Sequence, residues 1–212
     1  MENSENGKAV ALFNKLADTY QQKFFSVDAY KTFLDEFLSY LKPGANILDI
    51  ACGPGNISHY LLNSEKKLHV TGIDLAPNMI SLARVNNPEA HFFVHDALHI
   101  DSLNDAFDAL ITGFLFPYLS WNQVRSFLKK AHAVLNPEGV LYISTMEDSY
   151  EQSRIRTSSS GDQLMMYFYE CAFLESTLLE LGFEVLSTHR QAYAISETES
   201  DTDLVILARK IS

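Results

Sequence analysis

Cysteine is scarce in this chain, which has two among its 212 residues. A framework of disulfides, on which small secreted proteins depend, is therefore disfavoured, and a reducing compartment is favoured. Long apolar runs are also lacking, because no segment approaches the roughly 18 apolar residues that a membrane-spanning helix needs. The first residues, MENSENGKAVALF, lack the apolar segment after a basic start that is typical of a secretory leader. We therefore expect a soluble, cytoplasmic protein.

Basic residues are outnumbered as well, with 16 Lys and Arg against 27 Asp and Glu and a formal net charge of -11. Binding to a phosphate backbone regardless of sequence depends on clustered Lys and Arg, so a nucleic-acid partner is disfavoured. The remaining composition, 47% hydrophobic and 20% charged, is that of an ordinary globular protein. A chain of this size can bury one core without help from disulfides or metals, and no internal repeat is evident. We expect residues 1–212 to form a single domain.

Hydrophobic periodicity predicts two N-terminal helices, followed by alternating strands and helices. The first helix carries apolar residues from Phe13 to Phe24, and the second carries them from Tyr30 to Leu41. The predicted strands that follow are 46–51, 69–74, 91–95, 107–112 and 140–145. The predicted helices between and after them are 56–62, 78–85, 121–135 and one that ends at Gly182.

Two strand-like runs, 183–192 and 203–209, come last, with no helix between them. Such a pair predicts an antiparallel hairpin. Strands that alternate with helices predict a parallel sheet with helices on both faces. The expected fold class is therefore α/β, a doubly wound, seven-stranded, mostly parallel sheet with a C-terminal antiparallel hairpin. A ligand of such a sheet binds beyond the carboxyl ends of the strands, near the point where strand order reverses.

The first predicted strand leads into a turn with two glycines, Gly53 and Gly55, in the sequence DIACGPGN. Glycine lets a ligand approach the backbone, although a sharp turn can recruit glycine for structural reasons alone. Asp74 ends the second strand and is suited to accept hydrogen bonds from ribose hydroxyls, or alternatively to cap the next helix. Asp96 ends the third strand and is suited to receive an exocyclic amine, or alternatively is a solvated strand end. Acids at successive strand ends around one glycine turn favour a single binding site.

Five segments carry a resemblance to a known family. They are ILDIACGPGN (47–56), VTGIDLAPNMI (70–80), FFVHDAL (92–98), FDALITGFLFPYL (107–119) and VLNPEGVLYIST (134–145). With these segments the sequence resembles the class I S-adenosylmethionine-dependent methyltransferases that act on small molecules, from about residue 10 to the end. The resemblance implies a Rossmann-like methyltransferase fold, S-adenosylmethionine as the cofactor and a small-molecule methyl acceptor as the partner.

The resemblance also implies which residues bind the cofactor. Asp49 would organise the methionine amino group, and Gly53 and Gly55 would let the backbone approach the cofactor. Asp74 would hold the ribose, and Asp96 would take the adenine amine. The other implied contacts are Leu75 and Leu98, which would flank adenine, Ala97, beside a backbone N–H that meets the ring, and Tyr20, in an N-terminal helical lid of about residues 9–41. The alternative for Tyr20 is an aromatic residue on the core side of its helix.

The segment after the fourth strand departs from one branch of this family. It reads Thr112-Gly-Phe-Leu-Phe-Pro-Tyr118, in place of the Asn/Asp-Pro-Pro-Tyr/Phe signature of enzymes that methylate amino groups of nucleobases and glutamine. That branch is disfavoured, and no catalytic acid or base is carried over to this sequence. Alignment of the reactants and exclusion of water contribute much of the rate in such a transfer, so a dedicated base is not required.

Two other functions share part of this pattern. A nicotinamide-dependent dehydrogenase also combines a glycine turn with an acidic residue, but Ser58 stands at the position of its third fingerprint glycine. A nucleoside-binding module without transfer activity is the non-enzymatic alternative. His91, His95 and His99 do not predict a metal site, because the strand-like residues between them disperse the side chains.

Residues 146–169 are expected to form an insertion that closes over the methyl acceptor. The first part is polar, as is typical of a mobile loop, and the second part is rich in methionine and aromatic residues. The proposed cavity residues are Tyr167 or Tyr169 with Phe114 and Tyr118, and Arg154 or Arg156 is available to pair an acidic group. In the alternative, the arginines are solvated and the tyrosines belong to the core side of the next helix.

Overall fold

Strands and helices alternate along the chain as the sequence predicted. The structure is a computed structural model that describes residues 5–157, 161–194 and 200–211. Its strands are β1 (Asn46–Ile50), β2 (His69–Asp74), β3 (His91–Val94), β4 (Phe107–Gly113), β5 (Leu135–Glu147), β6 (Arg154–Thr157), β7 (Gln163–Met166), β8 (Phe183–Ala194) and β9 (Ser200–Lys210). Its α-helices are α1 (Glu5–Lys15), α2 (Ala17–Phe24), α3 (Lys31–Tyr40), α4 (Asn56–Leu62), α5 (Pro77–Asn86), α6 (Trp121–Val134) and α7 (Cys171–Glu180).

Seven of these strands form the main sheet, in the order β3-β2-β1-β4-β5-β9-β8. The strands β1 to β5 pair in parallel, whereas β9 pairs antiparallel with both β5 and β8. This order confirms the predicted doubly wound sheet and its C-terminal antiparallel hairpin. Strand order reverses beside β1, since the chain continues to β2 and β3 on one side and to β4 and β5 on the other. The crevice expected for a ligand therefore lies at the carboxyl ends of β1 and β4.

Both faces of the sheet are buried, because alternate residues of a central strand enter different apolar clusters. In β4, Leu110 shares a cluster with Phe127 of α6, while Ile111 shares the opposite cluster with Phe37 of α3. All four side chains are fully buried. A strand that is buried on both faces reads as a continuous apolar run, which is why β4 was recognisable in the sequence.

The first residues of α5 and α6 carry the helix-start signals that the sequence predicts. Gln123 accepts a hydrogen bond from the backbone N–H of Ser120 at 2.8 Å, and together these residues form a capping box at the start of α6. Pro77 is the first residue of α5, where its missing N–H leaves no helical hydrogen bond unmade. These local signals place the two helices that flank β3 and β4.

The first predicted helix is two helices. α1 ends at Lys15 and α2 begins at Ala17, and Leu16 between them has φ -100° and ψ 13°. Backbone hydrogen bonds still run from Leu16 N–H to the Leu12 carbonyl and from Tyr20 N–H to the Leu16 carbonyl. The apolar periodicity therefore continues across the joint, and the periodicity alone could not reveal the bend.

The polar segment expected to be a mobile loop contains a second, two-stranded sheet. β6 and β7 pair antiparallel, with Arg154 opposite Met166 and Ile155 opposite Met165. Each strand has four residues, which is too short for a clear alternation of apolar and polar side chains. The serine run at 158–160, which falls in this segment, lies outside the described residues.

Membrane-spanning helices and clusters of metal ligands are both absent from the described parts of the chain. None of the helices there combines the length and the apolar character that crossing a membrane requires. Within the same residues, no group of three or more His, Cys, Asp and Glu side chains is arranged to hold a metal ion. His95 and His99 instead make local hydrogen bonds, His95 to the His99 carbonyl and His99 to the Asp96 carboxylate.

Candidate functional site

Two adjoining cavities open at the carboxyl ends of the parallel strands. The smaller cavity has a volume of about 130 Å³ and the larger cavity has a volume of about 610 Å³. Ligand pockets in proteins typically measure roughly 300–1,000 Å³, so the two together offer room for more than one small molecule. The seven residues that line both cavities are Phe13, Tyr20, Ala51, Gly53, Gly113, Phe114 and Tyr118.

The smaller cavity gathers the strand-end residues that the sequence singled out. Asp74 and Leu75 reach it from the end of β2, and Asp96 and Ala97 reach it from the end of β3. Asp74 accepts backbone hydrogen bonds from Gly53 N–H at 3.0 Å and from Ala76 N–H at 2.8 Å. Burial raises the pKa of the Asp74 carboxyl, and the backbone donors oppose that effect. Asp74 therefore ties the glycine turn to β2 and also presents its carboxylate to the cavity.

Asp96 is held in place by its own neighbours. One carboxylate oxygen accepts a hydrogen bond from Leu98 N–H at 2.8 Å, and the other lies 3.2 Å from His99 Nδ1. The Leu98 N–H is thereby occupied, and the Leu98 side chain packs against the main core instead of lining either cavity. Leu115 and Leu119, which follow β4, line the smaller cavity where Leu98 was expected. No local pattern indicates this exchange of leucines, because it depends on how the segment after β4 folds back.

Asp49 lies at the end of β1 on the wall of the larger cavity and is almost completely buried. Its Oδ2 atom accepts a hydrogen bond from the Ser58 hydroxyl at 2.6 Å, while Oδ1 has no hydrogen-bond partner among the described residues. Burial raises the pKa of the Asp49 carboxyl to about 7. A buried carboxylate oxygen without a partner is costly, so this atom is well suited to receive a cationic donor. Ser58, at the position of a third fingerprint glycine, serves here as a donor to Asp49.

The two glycines of the turn have different roles. Both adopt left-handed conformations, with φ +53° at Gly53 and +76° at Gly55. A Cβ atom on Gly53 would meet only Tyr20 Cε1, at 3.9 Å, so this backbone faces the open cavity. A Cβ atom on Gly55 would lie 2.5 Å from Asn87 Nδ2 and 3.2 Å from Ala83 Cβ. Gly55 lines neither cavity, and its place in the sequence is explained by close packing of α4 against α5.

Alanine substitutions should separate these two roles. Gly55→Ala is expected to lower the free energy of unfolding by about 2–4 kcal/mol, because it adds overpacking to left-handed strain. Gly53→Ala is expected to cost only about 1 kcal/mol, since strain is its main effect. Urea denaturation of the two ligand-free variants measures the difference. Equal losses of stability would contradict the packing role assigned to Gly55.

Two residues other than glycine also have left-handed backbone conformations at the strand ends. Ala51 after β1 has φ 56° and Phe114 after β4 has φ 57°. Such conformations cost about 1–2 kcal/mol each for an ordinary residue, and they concentrate at functional sites. Each of these two residues lines the smaller and the larger cavity, so the backbone strain lies in the wall of the crevice.

Tyr20 of α2 lies between the two cavities. Its ring meets Phe13 of α1 edge-on, with centroids 5.7 Å apart, and Phe13 meets Tyr118 in the same way at 5.1 Å. Burial, and then the charge of Asp74, raises the pKa of the Tyr20 hydroxyl to about 12. Tyr20 is therefore a neutral cavity residue on helices that cover the crevice, which is the position expected for a lid contact.

The arginines and tyrosines of the insertion divide between cavity and core. Arg156 lines the larger cavity and donates two hydrogen bonds to Asp201, at 2.7 and 2.9 Å, whereas Arg154 is exposed. Tyr169 is fully buried and donates to the Leu119 carbonyl, and Tyr167 stacks on Tyr150. The expectation that either tyrosine lines the acceptor cavity is wrong, since both pack on the core side. Met166 lines the cavity in their place, and Phe114 and Tyr118 line it as predicted.

The central part of the chain matches a known protein family. Residues 47–139 match the family described as methyltransferase domain. Over these residues, which make up less than half of its length, the chain is similar to a methyltransferase domain. The matched residues contain β2 to β4 and all of β1 except Asn46, and therefore include the glycine turn, Asp49, Asp74 and Asp96.

Individual proteins resemble this chain over parts of its length. The demethylmenaquinone methyltransferase of Thermotoga maritima is 26% identical over 140 residues, which are 64% of this chain and 60% of that protein. The malonyl-acyl-carrier protein O-methyltransferase of Bacillus anthracis is 31% identical over 101 residues, which are 47% of this chain and 36% of that protein. The chain spans about half the length of the curated relatives that it matches.

A solved structure shares the fold of this protein over almost the whole chain. The 1,6-didemethyltoxoflavin-N1-methyltransferase of Burkholderia thailandensis, with S-adenosylhomocysteine bound, has a TM-score of 0.73 at 20% identity. The match covers 97% of this chain and 88% of that one. Neither the dehydrogenase nor the non-catalytic alternative finds support among these similarities.

Proposed function

We propose that this protein transfers the methyl group of S-adenosylmethionine to a small-molecule acceptor. The observation that carries the proposal is the unpaired, buried Oδ1 atom of Asp49, a residue that lines the larger cavity together with the open backbone of Gly53. The amino group of the cofactor is a positively charged donor, which such an atom requires. Asp74 and Asp96 stand at the adjoining smaller cavity, where each carboxylate oxygen has a further lone pair to offer a nucleoside.

The residues present fit S-adenosylmethionine, although their contacts with it stay predictions. Asp49 would hold the amino group and Gly53 would allow close approach of the backbone. Asp74 would accept from the ribose hydroxyls, and Asp96 would accept from the adenine amine. Leu75, Ala97 and Tyr20 line the cavities where contacts with the cofactor are expected, whereas Leu98 and Gly55 contribute through packing. When bound, the cofactor supplies an electrophilic methyl group.

The chain's own residues would mainly align the acceptor and exclude water. Residues of about 9–41 bring Phe13 and Tyr20 over both cavities, and the insertion of about 146–169 adds Arg156 and Met166 to the wall of the larger one. We infer that these two segments act as lids. Holding two reactants in an aligned, dry site replaces much of the entropy loss of a bimolecular reaction.

A small acceptor suits the larger cavity. Its lining is largely apolar and aromatic, with a few polar groups, as is usual for small-molecule sites. Two of the similar proteins are named for acceptors of this size, demethylmenaquinone and 1,6-didemethyltoxoflavin. The negative net charge continues to disfavour a nucleic-acid acceptor, and the cytoplasmic location rests on the sequence alone.

Calorimetry with three ligands tests the proposal. We expect S-adenosylmethionine and S-adenosylhomocysteine to bind and NAD not to bind, because three carboxylates match the amino group, ribose and adenine amine of the former pair. Transfer of a labelled methyl group into an extract of small metabolites would then distinguish an enzyme from a binding module. Binding of NAD alone would refute the assignment.

A further inference from the structure

The larger cavity contains one acidic side chain that is used neither by the proposed cofactor contacts nor by an ion pair. Three aspartates line it, Asp49, Asp201 and Asp203. Asp201 is paired with Arg156 through two hydrogen bonds. Asp49 is the residue to which the proposed function assigns the amino group of the cofactor. Asp203 has no cationic partner among the described residues.

Asp203 is held rigidly on the wall of this cavity. It lies on β9, opposite Met146 of β5 and Gln191 of β8, so strands on both sides fix its backbone. The residue is 3% exposed. Tyr30, in the short turn before α3, donates its hydroxyl hydrogen to Asp203 Oδ2 at 2.6 Å. The Tyr30 ring in turn meets Phe114 edge-on, with centroids 5.6 Å apart.

The second carboxylate oxygen of Asp203, Oδ1, is the atom that remains available to a ligand. Oδ1 accepts no hydrogen bond from the described residues, among which the one hydrogen-bond partner of the side chain is Tyr30, on Oδ2. A buried carboxylate normally has a cation or several donors around it, because its desolvation is otherwise uncompensated. Asp203 does not have them, and burial accordingly raises the pKa of its carboxyl. A ligand that donates a hydrogen bond to Oδ1 would remove the deficit.

The surroundings of Asp203 restrict what that ligand can be. Tyr30, Phe114, Tyr118 and Tyr142 present aromatic rings to the same cavity, and these suit a flat, largely apolar molecule. A carboxylate or phosphate on the ligand would be repelled by Asp203. Two cationic side chains line this cavity, Lys23 and Arg156. Arg156 is already matched by Asp201, and the Lys23 ammonium lies over the Phe24 ring, 4.9 Å from its centroid.

We propose that Asp203, oriented by Tyr30, binds the methyl acceptor through a hydrogen bond from an O–H or N–H group of that acceptor to Oδ1. The proposal rests on the proposed function, since it assigns the larger cavity to the acceptor. It specifies a substrate class, namely flat and mainly apolar molecules that carry a hydroxyl or N–H donor and no negative charge. Asp203 is then a specificity-determining residue.

Methionine methyl groups provide a way to test this without knowing the acceptor. Met79 lines the smaller cavity, while Met146 and Met166 line the larger one. In protein labelled with 13C at the methionine methyls, S-adenosylhomocysteine should shift the Met79 signal. The probes for the second cavity are then 1-naphthol and indole, compared with their capped counterparts 1-methoxynaphthalene and 1-methylindole, and with 1-naphthoate as an anion.

With S-adenosylhomocysteine bound, the two donor probes should shift the Met146 and Met166 signals with a Kd at least about fivefold lower than the capped probes, as a hydrogen bond to a charged group predicts. The anion should bind most weakly. In Asp203→Asn the preference for donors should disappear, because the amide turns a donor of its own toward the ligand. Asp105→Asn, which makes the same charge change at an exposed loop residue, is the control and should keep the preference.

The outcomes separate the inference from the function on which it rests. A Met79 signal that does not respond to S-adenosylhomocysteine would refute the proposed function. A Met79 response without any preference for donor probes at Met146 and Met166, including the absence of binding there, would overturn the role of Asp203 alone. A preference that survives in Asp203→Asn, with a thermal midpoint close to that of the parent, would overturn it too.

Discussion

Asp49→Asn is expected to weaken S-adenosylhomocysteine binding by roughly ten- to a hundredfold at pH 8, the loss that follows from removing a hydrogen bond between charged groups. The Asp49 carboxylate is buried, and its unpaired Oδ1 atom is the one placed to receive the amino group. Asparagine keeps the shape and can still accept from Ser58 through its carbonyl oxygen. The substitution therefore removes the charge while leaving the turn intact.

The pH dependence of S-adenosylhomocysteine binding should follow the ionisation of the Asp49 carboxyl. Burial raises its pKa from 3.8 to about 7 in the ligand-free protein, so below that pH the group must lose a proton before it can bind a cation. The affinity of the parent should rise about tenfold per pH unit between pH 5.5 and 7 and then level off. Calorimetry across pH 5.5–8.5 measures this change in affinity. A parent whose affinity does not change over this range would contradict the assignment.

The contribution of Asp49 to the free energy of unfolding should fall as the pH rises, whereas the affinity for S-adenosylhomocysteine should rise. Because the pKa of Asp49 is higher in the folded than in the unfolded chain, its protonation stabilises the ligand-free fold. That contribution is complete below the unfolded value of 3.8 and is lost as the pH rises through about 7. Asp49→Asn should accordingly be more stable than the parent at pH 8, by about 1–3 kcal/mol. Thermal unfolding of both proteins at pH 6 and pH 8 checks the sign, and Asp105→Asn serves as the exposed control.

Asp74→Ala should weaken cofactor binding by roughly tenfold to a hundredfold, again the scale of charged hydrogen bonds. The structure adds a second consequence, because Gly53 N–H and Ala76 N–H both donate to this carboxylate. Leaving these donors without a partner should also lower the free energy of unfolding by about 1–3 kcal/mol. Calorimetry with S-adenosylhomocysteine and urea denaturation measure the two effects separately.

A nucleoside without ribose hydroxyls distinguishes a direct contact from a disturbed turn. If Asp74 accepts from the ribose, adenosine should lose affinity in Asp74→Ala while 2′,3′-dideoxyadenosine loses much less. Equal losses for both nucleosides would assign the effect to the glycine turn. An unchanged affinity for adenosine would show that the ribose lies elsewhere.

Local sequence patterns predicted the parts of this protein that depend on neighbouring residues. β1 and β4 are short, largely apolar runs because both faces of each strand are buried, and such runs are visible without knowledge of the fold. The strand-end acids Asp74 and Asp96 were recognisable because parallel strands bring their carboxyl ends to one edge. The capping box at Ser120 is likewise complete within a few residues.

The features that sequence reasoning missed depend on contacts between distant segments. Gly55 is required by Asn87 and Ala83 of another helix, and no local pattern distinguishes it from Gly53. Tyr169 is in the core because it reaches the Leu119 carbonyl, fifty residues away along the chain. Asp203 is the clearest case, since its partner Tyr30 comes from the other end of the sequence. An acidic residue beside the apolar run LVILA was the only available signal for it.

The wall that the two cavities have in common bears on how this protein could be inhibited. Seven residues line both spaces, so an occupant of one lies next to an occupant of the other. A single compound that joins an adenosine to a flat aromatic donor could fill both at once. Such a compound loses its translational and rotational freedom once instead of twice, and the second group binds at the high effective concentration set by a short linker. The aromatic half, which would contact Asp203 and Tyr30, would then provide selectivity over proteins that share only the nucleoside half of the crevice.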